Sequence, residues 1–219
     1  RTGSKSVEEL RSTGYLPSAI NNYLARLGHT YDANTFMNLE VLAENFDLSR
    51  LGRAPARYDE AQLMHWQREA ISHSSYAELW SWMEEETHKL VPSEKREYFI
   101  DTIRANISFP ENATEWARIL FTDNFELTGQ IRDEVEYAPH QYFSRVLEIY
   151  KKNSDNPGIF GRELPVPENR KRAAAFQLVR GALTNKLHGP ELARLLELMP
   201  ATRIEKRLEI AIKISEKRK

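Results

Sequence analysis

Six histidines and several clustered carboxylates are the residues of this sequence that could take part in acid–base or metal chemistry. Glu84 and His88 are four residues apart, a spacing that places two side chains on one face of a helix. A closed metal site normally needs three or four ligands, and no other histidine is spaced to complete one. Glu84–Glu86 is interpreted as a solvated helix face. Because nucleotide-binding glycine loops and nucleophile motifs are also missing, the sequence predicts neither an active site nor a bound metal.

A second group of residues, near the C-terminus, has the chemistry of a binding site. Arg180 lies in a stretch whose apolar spacing predicts a helix ending near Asn185, and His188, Gly189 and Pro190 then turn the chain. We expect Pro190 to be the first residue of the next helix, where proline is common. Backbone groups left free at such a junction can bond a base edge or a phosphate, and glycine permits a close approach. An ordinary helix corner with a surface arginine is the alternative, and the residues alone leave both open.

The 219-residue chain has a formal net charge of −1, but the charge is unevenly distributed. From Phe160 to Lys219 there are 14 Lys and Arg against 7 Asp and Glu, a surplus of +7 that leaves −8 for the rest. Such a basic third indicates a polyanionic partner or, alternatively, a solvated helix face with a basic tail. The absence of cysteine excludes disulfides and thiolate chemistry. No apolar run is long enough for a membrane span or a signal peptide, so we expect a cytoplasmic protein without a membrane partner.

The elements that must position these residues are almost all helical. Apolar residues recur at helical spacing along most of the chain and strand-like alternation is rare, which predicts an all-α protein. The four tryptophans lie at helical spacings beside other apolar residues and are assigned to core packing. The clearest linker is Asn153–Pro167, which is rich in glycine and proline. Helix starts are indicated by Pro17 and by capping-box patterns that begin at Ser6, Ser75, Asn112 and Thr202.

Three segments of the chain resemble bacterial glutamyl-tRNA synthetases. Residues 1–28 are similar to the stretch that follows the family's KMSKS-type loop. Residues 46–48 and 55–59 are similar to its stem-contact region. Residues 178–184 and 188–192 are similar to its C-terminal R-x-A-L-T-G…G-P-x-L signature. The resemblance therefore covers essentially the whole chain.

This resemblance implies a non-catalytic, tRNA-binding fragment of glutamate–tRNA ligase. Arg1 matches the last residue of the KMSKS-type loop, so the catalytic domain, with its ATP and Mg²⁺, would lie upstream, and the fragment would hold no cofactor. The implied architecture is a helical stem-contact region at 1–71, followed by two anticodon-binding helical-bundle subdomains at 72–128 and 129–219. A monomer that binds tRNA and not DNA is expected. The alternative is a stand-alone helical paralogue that binds tRNA or a protein without catalysis.

The resemblance also assigns roles to single residues. Arg180, Gly189, Pro190 and Leu192 match the positions that contact the first anticodon base, C or U at the wobble position. Candidates for contacts to the tRNA backbone at its inner corner lie in the first seventy residues: Arg50, Arg53, Arg57 and Arg68. The following stretch, His65–Ile71, departs from the family pattern, which leaves these backbone contacts less defined.

One further position bears on tRNA selection. Members that discriminate tRNA-Glu from tRNA-Gln often carry an arginine shortly before a segment that matches Ala117–Phe121, and Asn106 occupies that position here. Loss of the guanidinium is expected to relax selection of C at the third anticodon base, so that tRNA-Glu and tRNA-Gln are both charged. Arg104, two residues away, is the alternative source of a guanidinium.

Overall fold

The computed structural model describes residues 5–52, 57–168 and 170–217. Across these ranges the chain forms α-helices and short 3₁₀ turns, with no β-strand beyond an isolated bridge of His29 to Leu51, which confirms the all-α prediction. No helix in the described ranges is both long and apolar enough to cross a membrane.

The α-helices, numbered in chain order, are α1 Val7–Thr13, α2 Pro17–Leu27, α3 Leu39–Glu44, α4 Glu60–His73, α5 Tyr76–Trp82, α6 Glu85–Leu90, α7 Arg96–Ile103, α8 Pro110–Phe121, α9 Gly129–Glu136, α10 Tyr142–Lys152, α11 Pro157–Glu163, α12 Arg172–Thr184, α13 Leu192–Leu198 and α14 Ala201–Glu216. The 3₁₀ turns are Leu48–Arg50, Ser93–Lys95 and Arg104–Asn106.

Local start signals explain where several helices begin. The predicted capping boxes at Ser6 and Ser75 are confirmed, because each serine accepts the N–H of the glutamate three residues later and that glutamate accepts the serine N–H. Pro17 lies at the N-terminal turn of α2, as predicted. These signals are local because they need only hydrogen bonds within one turn.

Two of the predicted capping boxes were wrong. Asn112 lies inside α8, and its Oδ1 accepts the N–H groups of Ser108 and Phe109, each at 3.0 Å, so it closes the preceding loop instead. Thr202 lies inside α14, which follows an extended Pro200. In each case the helix begins earlier than the pattern indicated.

The predicted linker Asn153–Pro167 was wrong over part of its length. It contains the helix α11, whose start is capped by Asn156 through the N–H of Ile159 and occupied by Pro157. Asparagine before proline at a helix start favours a helix rather than a break. Part of the predicted linker is therefore the ordered helix α11, which carries side chains to the candidate site described below.

The described residues divide into two compact units. The first holds residues 5–88 and 104–114, and the second holds residues 89–103 and 115–217. The three-part division into 1–71, 72–128 and 129–219 stays a prediction, and α4 runs through the first of its boundaries.

The first unit is built on the packing of α2 against α4. Leu63, Trp66 and Ala70 of α4 are buried, as was expected for Trp66. Gln67, on the same helix, is completely buried and accepts the N–H of Leu16 at 2.9 Å. Its Nε2 donates to the carbonyls of Gly14 and Ser108. One amide therefore fixes two loops against the helix.

The second unit has α9, α10, α12 and α14 at its centre. Arg207 of α14 is 1% exposed and donates to the carbonyls of Leu183, Ile119 and Thr122 at 2.6, 2.7 and 3.2 Å. Its guanidinium carbon lies 4.1 Å from the centre of the Phe125 ring. Burial lowers the pKa of Arg207 to about 10. Those carbonyls lie at or just beyond the C-terminal ends of α8 and α12, where a cation is stabilised by the helix dipoles.

Candidate nucleic-acid interface

A cavity of about 280 Å³ lies among α11, α12 and α13 of the second unit. It is lined by Arg162, Arg172 and Arg180, by the half-buried ring of Phe176 and by the buried Leu192. We call this group of five residues the arginine cavity. It places two residues that the resemblance singled out, Arg180 and Leu192, in one site.

The charge of the arginine cavity is strongly positive. Within the described residues, none of its three arginines forms an ion pair with a carboxylate. Glu191 is the one acidic residue in the described lining. Guanidinium groups bind phosphate and carbonyl oxygens in a planar, two-point geometry, and an aromatic ring offers a face to a flat ring. This combination suits a nucleotide.

Arg180 is half-buried and only partly hydrogen-bonded. Its Nη1 donates to the carbonyl of Leu187 at 3.2 Å, and its buried Nε has no partner within the described chain. Burial lowers the pKa of the guanidinium because the charged form is partly removed from water. A ligand oxygen at the remaining donors would compensate that desolvation.

Gly189 is required by a neighbour within the protein. Its φ is +150°, and a Cβ at this position would lie 2.6 Å from two atoms of the Trp116 ring. Trp116 is 3% exposed, which confirms its assignment to the core. The space left by the missing side chain of Gly189 is therefore occupied by the Trp116 ring of the protein itself.

Pro190 does not begin a helix, so that prediction was wrong. It is buried, and the following Glu191 still has extended backbone, so α13 starts only at Leu192. The corner is fixed instead by Thr184, whose Oγ1 accepts the N–H of Lys186 at 3.2 Å. Gly189 and Pro190 lie outside the lining of the arginine cavity.

Asn106 belongs to the first unit, where it is exposed at the end of the 3₁₀ turn Arg104–Asn106. Arg104 is engaged within the same unit: its Nη1 donates to the carbonyl of Ser72 at 3.1 Å, and its guanidinium lies 5.3 Å from the centre of the Tyr76 ring. The more exposed polar side chain at this turn is therefore the amide of Asn106, whereas the guanidinium of Arg104 is held by contacts within the unit.

The arginines predicted to contact the tRNA backbone lie in different surroundings. Arg57 and Arg68 are exposed, and Arg53 is outside the described residues. Arg50 forms an ion pair with Asp32 at 2.6 Å and lies 4.0 Å from Asp47, and the hydrogen bond to Asp32 raises its pKa. Its charge is thus already balanced, so a phosphate at Arg50 would have to displace Asp32. The role of these arginines stays a prediction.

Sequence reasoning missed three members of the arginine cavity. Arg162 fell within the predicted linker, Arg172 was counted only in the basic surplus of residues 160–219, and Phe176 was not singled out. A signal was present, because Arg172, Phe176 and Arg180 are spaced by four and therefore share one face of α12. Only the position of α11 adds Arg162 to that face.

Comparison with known proteins finds relatives among the bacterial glutamate–tRNA ligases. Glutamate–tRNA ligase 2 of Nitrosococcus oceani is 43% identical to this chain over 209 residues, which are 95% of this chain and 44% of that protein. Glutamate–tRNA ligase 1 of Methylococcus capsulatus is 39% identical over 208 residues, 95% of this chain and 45% of that protein. The chain is homologous to one part of the bacterial glutamate–tRNA ligases. It spans less than half the length of these relatives.

Solved structures agree on the fold of this glutamate–tRNA ligase homologue. A glutamate–tRNA ligase from Elizabethkingia meningosepticum superposes with a TM-score of 0.75 over 97% of this chain and 44% of that chain, at 20% identity. A second, from Elizabethkingia anophelis, gives a TM-score of 0.70 at 18% identity. No protein-family model matches the chain. The resemblance seen in the sequence is confirmed by the two ligases of 43% and 39% identity.

Proposed function

We propose that this chain is the tRNA-recognising part of a glutamate–tRNA ligase and that the arginine cavity binds the anticodon loop. The observation that carries the proposal is a single cavity with three arginines that lack a carboxylate partner in the described chain, beside the Phe176 ring. Unpaired anticodon bases can stack on such a ring while guanidinium groups bind phosphates or base edges.

The wider role follows the relatives. In this proposal a whole ligase that contains such a chain attaches glutamate to tRNA with ATP and Mg²⁺ during translation in the cytoplasm. The chemistry belongs to the part of the relatives that this chain does not span. This chain selects the tRNA, and it does so as a monomer.

Binding of the chain to transcribed tRNA-Glu, tRNA-Gln and an unrelated tRNA tests the proposal. We expect the first two to bind more tightly than the third, with an affinity that falls steeply between about 50 and 200 mM salt. Arg180→Ala should weaken binding to tRNA-Glu on the order of tenfold. Arg132→Ala is the matched control, because this exposed arginine lies on α9 away from the cavity. Equal binding to all three tRNAs, or equal effects of the two variants, would contradict the proposal.

We also propose that selection at the third anticodon base is relaxed and that tRNA-Glu and tRNA-Gln are both accepted. Support comes from the exposed amide of Asn106 and from the engagement of Arg104 with Ser72. Asn106→Arg should convert similar affinities into a preference for tRNA-Glu on the order of tenfold. Asn106→Gln is the control, because it lengthens the side chain without adding a guanidinium. A tenfold preference for tRNA-Glu in the unmodified chain would refute this part of the proposal.

A further inference from the structure

Helix α11 carries Arg162 to the arginine cavity but has little stability of its own. It has seven residues, Pro157–Glu163, and two of them are glycines. Helices this short are unstable in isolation, and glycine lowers helix propensity further. The last carbonyls of such a helix have no partner within it, so an external donor has a large influence on its geometry.

That donor is Arg172, the first residue of the next helix. Its Nη2 donates to the carbonyl of Gly161 at 2.7 Å and to the carbonyl of Arg162 at 2.5 Å. The cation thus lies at the C-terminal end of α11, where the helix dipole stabilises positive charge. Both bonds hold the turn from which the Arg162 side chain leaves.

The same side chain also positions the aromatic wall. The guanidinium carbon of Arg172 lies 5.7 Å from the centre of the Phe176 ring. On α11, a Cβ built on Gly161 would lie 3.4 Å from the ring, so Phe176 lies beside both Gly161 and Arg172. A lysine could supply the charge, but its nitrogen ends one bond short of the Arg172 Nη2 that bonds both carbonyls, and it offers no planar group to the ring.

The stability of α12 itself does not explain why an arginine occupies position 172. The first turn of α12 contains no acidic residue, and the helix follows Arg170 and Lys171. Positive charge at a helix N-terminus opposes the helix dipole. The favourable contacts of Arg172 are therefore those it makes with α11 and Phe176.

We propose that Arg172 is a positioning residue of the arginine cavity, which holds Arg162 and the Phe176 ring in the arrangement that receives the anticodon loop. This inference rests on the proposed tRNA-binding function. It assigns to Arg172 an action through Arg162 and Phe176 rather than a contact of its own with the tRNA.

A double-mutant cycle in tRNA-Glu affinity tests the inference, with Arg162→Ala, Arg172→Ala, the double variant and Arg132→Ala as control. Each single change at the cavity should weaken binding on the order of tenfold, and the double variant should fall well short of the roughly hundredfold loss expected of two independent contacts. Arg172→Lys should recover little of the loss, since it keeps the charge but its nitrogen ends one bond short of the two carbonyls and it lacks the planar group beside Phe176. Hydrogen exchange of the peptide that covers α11 should become faster in both Arg172 variants, while the melting temperature of the chain changes little.

The outcomes separate the inference from the function on which it rests. Additive losses, or full binding by Arg172→Lys, would make Arg172 a direct charge contact and overturn the positioning role. Normal binding by Arg172→Ala beside weakened binding by Arg162→Ala would overturn the inference and leave the proposed function standing. If neither Arg162→Ala nor Arg180→Ala affects binding, the proposed function fails at this site and the inference fails with it, even where exchange in α11 becomes faster.

Discussion

The two compact units each bury one long polar side chain, and the two side chains differ in charge. Gln67, in the first unit, has donors and an acceptor, and both ends of its amide are hydrogen-bonded. Arg207, in the second unit, has only donors, and its bonds to backbone run to carbonyls at helix ends. A neutral amide can join any two loops, whereas a buried cation needs a negative environment, which helix C-termini supply.

This difference shows that basic residues in the last sixty positions serve two purposes. Arg207 is part of the core, and Arg203 is paired with Asp123 at 2.7 Å. Arg162, Arg172 and Arg180 line a cavity without a carboxylate partner in the described chain. A count of charges in the sequence cannot separate these groups, so the surplus of +7 overstates the charge that a ligand would meet.

The largest expected effect is that of Arg207→Ala. It removes the donor to one buried and two part-buried carbonyls and leaves a cavity, so we expect the free energy of unfolding to fall by about 3–5 kcal/mol. Urea unfolding followed by circular dichroism measures this. Lys213→Ala is the control on the same helix, because Lys213 is exposed; it should change stability by no more than about 0.5 kcal/mol. Similar values for the two variants would show that the buried cation contributes nothing.

Gln67→Leu is the corresponding change in the first unit, with a smaller expected loss of about 2–3 kcal/mol. Leucine restores most of the packing but leaves the N–H of Leu16 and the carbonyl of Ser108 without a partner. The same urea titration applies, with the exposed Gln62→Leu as control on α4. A loss larger than that of Arg207→Ala would reverse the ranking of the two buried groups.

Arg180→Met sharpens the distinction between core and cavity arginines. Methionine keeps much of the packing and removes a half-buried charge with one hydrogen bond, so stability should stay within about 1 kcal/mol of the unmodified chain. Affinity for tRNA-Glu should nevertheless fall on the order of tenfold. Unfolding and tRNA titrations on one preparation would show both. A stability loss as large as that of Arg207→Ala would place Arg180 among the core arginines.

The smallest effect concerns the cap of α5. Hydrogen bonds from the N–H and hydroxyl of Ser75 lower the pKa of the Glu78 carboxyl. A lowered carboxyl pKa gives stability that is present above the unfolded value and is lost as pH falls through the folded value. Glu78→Gln should therefore be less stable than the unmodified chain at pH 7, by less than about 1 kcal/mol, with a difference that shrinks below about pH 4.5. Thermal unfolding against pH measures this, and a difference unchanged by acid would contradict it. In a Ser75→Ala background the hydroxyl bond is lost but the backbone N–H bond to Glu78 remains, so the pH dependence of the difference should become smaller.

Local patterns predicted the helical fold because helix starts and apolar spacing act within one or two turns. Ser6 and Pro17 were assigned correctly for this reason. Asn112, Thr202 and Pro190 were not, because polar and proline residues near a helix start can serve the loop before it as well as the helix. Which of these happens depends on whether the neighbouring backbone is already extended, as it is at Pro200 and Glu191.

For the candidate site, the sequence by itself determined the helix that bears Arg180, the corner that follows it and the family to which the signature belongs. The tertiary structure alone decided that Arg162 joins Arg180, because α11 is brought beside α12 by packing and by the bonds of Arg172. It also decided that Gly189 faces Trp116. Residues far apart in the chain meet only when the core is formed, and a pattern read along the chain carries no distance between them.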